Sequence, residues 1–259
     1  MKIFITGIAS GIGKATTEVL LSEGHEVKGF DIDKEALDKM PDEVTTYHGD
    51  VCDEDRVEYV VNQEEFDILI NCAAYYELGS IEDMSAETVE SIFKPNVFGT
   101  LNFIRESMPM LRERNGRIIN MSSVAGKVSM PYYGVYSATK HSIEAISDAL
   151  RMEVGRFDVD VVIVEPGAFN TGFNSTARQA LIKYVPDSIY ADDYEDLMED
   201  SPLNGESPVK AGRKVAEAAI AENPKTRYKV GRGSSIFPKF RSIMPDRLYD
   251  KVVLRSFRK

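Results

Sequence analysis

Short β-branched runs alternate with longer amphipathic stretches along most of this chain, and that alternation is the signature of a parallel sheet covered by helices. Strands are expected at 2–6, 26–30, 44–48, 66–70, 116–121, 159–164 and 227–230. Helices are expected at 12–23, 34–39, 53–63, 86–113 (with an interruption near Pro95), 134–155 and 208–221. The run Val159-Asp160-Val161-Val162-Ile163-Val164 reads as a central strand buried on both faces. At 259 residues the chain fits one α/β domain with a well-buried core. The expected fold is a doubly wound, three-layer αβα sandwich around about seven parallel strands.

Two regions break the rhythm. Residues 172–206 lack a strand and carry scattered Pro and acidic residues, so they read as an irregular insertion serving as a lid. The tail 237–259 holds seven Lys/Arg against Asp246 and Asp250 in a chain of net charge −11. Pro245 suits the first position of a tail helix, Asp246 its first turn, and Arg255, Arg258 and Lys259 its last. Leu248, Val252, Val253, Leu254 and Phe257 are expected to dock on the body of the protein, in preference to touching anionic lipid.

Several function classes fall away. The acidic balance argues against nucleic acid, whose phosphates need a basic face. No apolar run approaches a membrane span. Lys2-Ile3-Phe4-Ile5 begins the first strand, so no leader peptide is expected, and two cysteines, Cys52 and Cys72, fit reduced thiols in a cytoplasmic setting. His25, His48 and His141 show no metal-ligand spacing, and no metal is expected.

Thr6-Gly7-Ile8-Ala9-Ser10-Gly11-Ile12-Gly13 falls at the first strand-to-helix crossing. Glycines there let the backbone turn tightly and let a pyrophosphate approach the free N–H groups of a helix N-terminus. Asp31 ends the second strand, where a carboxylate accepts bonds from adenosine ribose hydroxyls and repels a 2′-phosphate. Asp33 can cap the following helix in its place. The expected cofactor is therefore NAD(H), with NADP(H) second. Tyr136 and Lys140, four residues apart, share a helix face. A phenol and an ammonium beside a nucleotide loop form a proton-transfer site for hydride chemistry. Ser123 follows the run Ile118-Ile119-Asn120-Met121, at the strand end where open sheets place ligands.

Taken together, Thr6-Gly-x3-Gly-x-Gly13, Asp50-Val51, Asn71-Cys72-Ala73-Ala74, Asn96, Ser123, Tyr136-x3-Lys140 and Pro166-Gly167-x3-Thr171 resemble the short-chain dehydrogenase/reductase family in its compact, single-domain, Rossmann-type form. One element departs: the family's usual Asn-Asn-Ala-Gly here ends in Ala74. The resemblance implies Tyr136 as general acid/base and Lys140 as the group that lowers its pKa and holds the nicotinamide ribose. It implies Ser123 orienting the substrate oxygen and Asn96 holding a relay water. A free phenol titrates near ~10, so work near neutrality asks for about 4 kcal/mol of help. The same resemblance places Ser10, Ile12, Asp50, Val51, Asn71, Ala73, Pro166, Phe169 and Thr171 at the cofactor, and implies a homodimer or homotetramer through helices 86–113 and 134–155.

Val124, Val128, Met130, Tyr132 and Tyr133, with Phe169 and Phe173, read as an apolar substrate slot. Ser-Val-Ala-Gly-Lys127 and Pro131-Tyr-Tyr-Gly-Val-Tyr136 are most similar to the steroid- and retinoid-type members. The leading reading is interconversion of a secondary alcohol and a ketone, or an alcohol and an aldehyde, on a hydrophobic small molecule. The alternatives are a 3-oxoacyl-(acyl-carrier-protein)-type reductase, disfavoured because an acidic lid repels an acidic carrier, and a non-catalytic NAD-sensing module.

Overall fold

In a computed structural model, which describes residues 1–169, 171–199 and 205–257, seven strands form one all-parallel sheet. The strands are β1 Lys2–Thr6, β2 Glu26–Asp31, β3 Thr45–His48, β4 Ile68–Asn71, β5 Arg117–Met121, β6 Asp160–Pro166 and β7 Arg227–Val230. Their order is β3-β2-β1-β4-β5-β6-β7. The chain thus starts mid-sheet, winds outward to β3, returns past β1 and winds out the other way. The reversal lies between β1 and β4, paired with Thr6 opposite Asn71, and a crevice opens there beyond the strands' carboxyl ends.

Helices α1 Gly11–Ser22, α2 Lys34–Leu37, α3 Glu54–Asn62, α4 Ala86–Phe93, α5 Thr100–Glu113, α6 Gly134–Val154, α7 Gly172–Gln179, α8 Ala191–Glu199, α9 Pro208–Ile220, α10 Phe237–Ile243 and α11 Asp246–Phe257 complete the chain. The period-2 pattern of the strands sorts the core. Ile3 and Ile5 pack with Leu20 of α1 and Val215 of α9 on one face. Phe4 points to the other, among Val57 of α3 and Phe103 of α5. There Phe4, Phe66 and Phe103 lie with ring centroids 5.1 and 5.7 Å from that of Phe4. Each fully buried ring contributes about 1.5–3 kcal/mol of transfer free energy.

Three expectations are refined. The interruption expected near Pro95 is a π-helical turn, Lys94–Gly99, joining α4 to α5. Pro95 has no N–H to offer the carbonyl one turn back, and the helix widens instead of breaking. Residues 172–199 of the expected irregular insertion are largely helical: α7 and α8 fall inside them, and Phe169 bridges to Glu206. Polar residues scattered through that segment hide its helical period, because its apolar contacts are with distant parts of the chain. The tail does form a helix after Pro245, yet Leu248, Val252 and Leu254 stay exposed, so the expected docking on the body is only partial. Phe257 has no described side chain, and Arg258 and Lys259 lie outside the described residues.

Candidate active site

The crevice above β1 and β4 opens into a cavity of about 2130 Å³. Every residue expected at the site lines this cavity except Asn71 and Asn96. Those two lie beneath it. Asn71 Nδ2 donates to Asn120 Oδ1 at 2.9 Å, tying β4 to β5 inside the sheet. Asn96 sits in the π turn, where its Oδ1 accepts from Tyr75 N at 2.7 Å. Its Nδ2 donates to Tyr75 O at 2.8 Å and to Thr139 Oγ1 at 3.1 Å. The Asn96 side chain thus clamps the segment after β4 to α6.

The nucleotide end is shaped by backbone. Gly7 has φ +69°, and a Cβ there would stand 2.7 Å from Ala73 Cα. A Cβ on Gly13 would stand 2.0 Å from the Gly7 carbonyl oxygen. These two glycines close the loop on itself and on β4. Gly11 differs: a Cβ there would meet Thr171 at 3.7 Å, across open space. Ser10 caps none of α1's amides with its side chain, which leaves that helix N-terminus facing the cavity. Asp31 Oδ2 accepts from Ala9 N at 2.9 Å and Oδ1 from Asp33 N at 3.0 Å, so the carboxylate fastens the loop to β2. Asp33, as expected, caps α2 through Ala36 N at 3.0 Å.

Tyr136 and Lys140 project from successive turns of α6, and Lys140 Nζ lies 5.8 Å from the Tyr136 ring centroid. Lys140 is buried and donates to Met121 O at 2.8 Å, which pins it to the end of β5. Ser123, two residues past β5, accepts from Ala125 N at 3.1 Å, and its hydroxyl faces the Tyr136 phenol. Burial pushes the phenol up to about 12, against the opposing pull of the Ser123 hydroxyl. Burial also lowers the Lys140 ammonium to about 8. Desolvation in the closed cleft is the largest cause of both shifts.

The expected slot residues Val124, Val128, Met130, Tyr132, Tyr133, Phe169 and Phe173 all line the cavity. Residues not anticipated join them. Tyr76 packs tilted against Tyr136 and Phe173 with centroids at 4.6 and 4.5 Å, and its hydroxyl donates to Asn174 Oδ1 at 2.6 Å. Ile81, Phe237 and Leu254 also reach the wall. Tyr76 and Ile81 could have been found from their place just after β4, at the ligand-bearing end of a strand. Among the described residues, no group of three His, Cys, Asp or Glu is arranged to hold a metal ion.

With this geometry in view, the relationships of the chain are plain. Residues 1–181 match the family described as short chain dehydrogenase. The 3-ketodihydrosphingosine reductase of Bacteroides thetaiotaomicron is 34% identical over 98% of this chain and 97% of its own. The NADPH-dependent 3-dehydrocapnine reductase of Ornithobacterium rhinotracheale is 31% identical over 98% and 96%. A short chain dehydrogenase from Burkholderia cenocepacia, solved in complex with NADP, superposes with a TM-score of 0.80 over 97% of each chain at 22% identity. The chain belongs to the short-chain dehydrogenase family of nicotinamide-dependent oxidoreductases.

Proposed function

We propose that this protein reduces a hydrophobic ketone to a secondary alcohol, with Tyr136 as the proton donor. The observation that carries the reading is the convergence of Tyr136, Lys140 and Ser123 on one apolar cavity wall above the β1/β4 crevice. The glycine loop, the open face of Gly11 opposite Thr171 and the uncapped start of α1 suit a dinucleotide pyrophosphate. When bound, the nicotinamide supplies the hydride. The chain's own residues manage the oxygen. Ser123 orients the carbonyl, and Tyr136 delivers its phenolic proton to that oxygen as negative charge develops there. Burial favours the neutral phenol, the form that gives its proton to the developing alkoxide. Lys140, still largely cationic at neutral pH, stabilises the tyrosinate left behind and contributes donors for the ribose. The names of the two relatives, both reductases, support the same direction.

Asp31 supports NAD(H) as the partner: a carboxylate at the end of β2 suits ribose hydroxyls and opposes a 2′-phosphate. A relative named as NADPH-dependent, the 3-dehydrocapnine reductase, makes this the sharper half of the proposal. A fluorescence titration decides it. NADH should bind at least about tenfold tighter than NADPH, a difference of about 1.4 kcal/mol, and Asp31→Ala should shrink that gap. Equal affinities would overturn the preference. A panel of long-chain ketones against 3-oxoacyl thioesters then separates the leading reading from the acyl-carrier alternative.

A further inference from the structure

We propose that α10 and α11 form a lipid-facing surface that seats the cavity mouth on an anionic phospholipid bilayer. Apolar side chains on this helix pair stand in solvent: Phe240 is 51% exposed, Ile243 80%, Leu248 51% and Val252 50%. Phe240 and Ile243 are three apart and Leu248 and Val252 four apart, so each pair makes one stripe along its helix. Cations interleave with them: Lys239, Arg247, Lys251 and Arg255 all belong to the same two helices. The geometry of the pair is held from behind. Tyr249 Oη donates to Ser129 O at 3.4 Å, Arg241 stacks over the Tyr249 ring at 5.1 Å, and Arg241 pairs with Asp246 at 2.8 Å.

The charge pattern selects the occupant. The whole chain is −11, whereas these two helices carry Lys239, Arg241, Arg247, Lys251 and Arg255 against Asp246 and Asp250, so an anionic surface is attracted to this face and orients it. A two-fold contact between copies would set cation against cation. The patch is also continuous with the cavity: Phe237 and Leu254 line it, as does the 77%-exposed Ile81. Exposed apolar side chains flanked by cations at a cavity mouth match the headgroup and acyl layers of an interface. No helix among the described residues is long and apolar enough to cross a membrane, so the contact is peripheral. Only its consequence, that a lipid-borne ketone enters directly from the bilayer, rests on the reduction proposed above.

Flotation of the full chain with vesicles tests the surface without reference to turnover. The chain should float with phosphatidylglycerol-containing vesicles and remain behind with phosphatidylcholine alone. Lys251→Gln should lower partitioning about fivefold, added salt should lower it further, and Ile243→Glu combined with Val252→Glu should abolish it. NADH titration and thermal unfolding of the same variants should be unchanged, showing that the fold and nucleotide end are intact. No flotation, equal flotation on both vesicle types, or full retention by the apolar double variant would overturn the proposal. So would a light-scattering mass that drops in that variant, since the patch would then join copies of the chain.

Discussion

Around the glycine loop the cavity wall is backbone, whereas the wall contributed by α7, α8 and the segment after β4 is phenol and carboxylate. At the nucleotide end, Gly7 and Gly13 approach neighbouring main chain so closely that a single added methyl has no room. At the substrate end, fastening is by side chains. Tyr194 donates to Asp83 and accepts from Ser80 N, Lys183 pairs with Glu77, and Tyr132 bonds Asp193. Backbone cradles admit one ligand shape; hydroxyl–carboxylate fastenings can be rearranged without rebuilding the sheet. The invariant part of the chemistry thus sits on the rigid wall and the variable part on the adjustable one. Tyr136 and Lys140 stand where the two walls meet.

The largest test of that division is Tyr136→Phe. It deletes the proposed proton donor while leaving the ring packed against Tyr76. The reduction rate should fall by about a thousandfold or more, about 4 kcal/mol, with NADH affinity nearly unchanged. Steady-state kinetics beside a cofactor titration would separate the two. A variant that turns over normally would remove the phenol from the chemistry altogether.

Gly13→Ala should strike the opposite wall. Its methyl would lie 2.0 Å from the Gly7 oxygen, so the loop must open or α1 must shift. A backbone clash of this kind costs about 1–3 kcal/mol or more. The loss should appear both as a lower unfolding midpoint and as NADH binding weakened by at least about tenfold. Gly11→Ala is the control: its methyl has space, and the penalty there comes from φ +52° and from crowding the anion.

Lys140→Met separates function from stability, because a buried cation is costly to fold around. With the ammonium lowered from 10.5 to about 8, burial costs the native state about 3 kcal/mol at neutral pH. That cost is fully present below the folded pKa of about 8 and disappears as pH rises towards the unfolded value of 10.5. Replacement by Met recovers it, less about 1 kcal/mol for the Met121 carbonyl left without its donor. The variant should therefore be more stable than the parent at pH 7 by about 2 kcal/mol. Its advantage should fade between pH 8 and 10.5, as urea melts across that range would reveal.

The same contrast explains what could be read from residues alone. All seven strands were legible to within about two residues at either end, because β-branched runs bounded by turn residues leave little choice. The glycine loop, Asp31, Ser123, Tyr136 and Lys140 were legible because each answers to a fixed spacing on a strand end or helix face. The helical character of 172–199 was not. Tyr194 buries against Ser80 and Asp83, more than a hundred positions away, with Tyr184 and Tyr190 half-buried in the same cluster, and no local period records that. Asn96 shows a subtler limit: its position was legible, but the use of its side chain depends on Tyr75 and Thr139, which only the fold brings near.

Tyr132 offers the smallest and most discriminating test of the adjustable wall. It is one of three non-glycine residues among those described with positive φ, at +67°. Such a backbone costs about 1–2 kcal/mol for a bulky side chain and persists only when its surroundings hold it. Here the phenol bonds Asp193 of α8, the ring stands edge-on to Tyr190 and Tyr194, and the Tyr132 carbonyl accepts from Gly79 N at 3.0 Å. Tyr132→Phe keeps the ring contacts and removes the bond to α8. Stability should fall by about 1 kcal/mol. The KM for a hydrophobic ketone should rise a few-fold while kcat and NADH affinity stay near the parent's, since no group touching the reacting oxygen has changed. A drop in kcat equal to the rise in KM would mean that α8 positions Tyr136 as well as enclosing the substrate, and the boundary between the two walls would then have to move to the far side of the phenol.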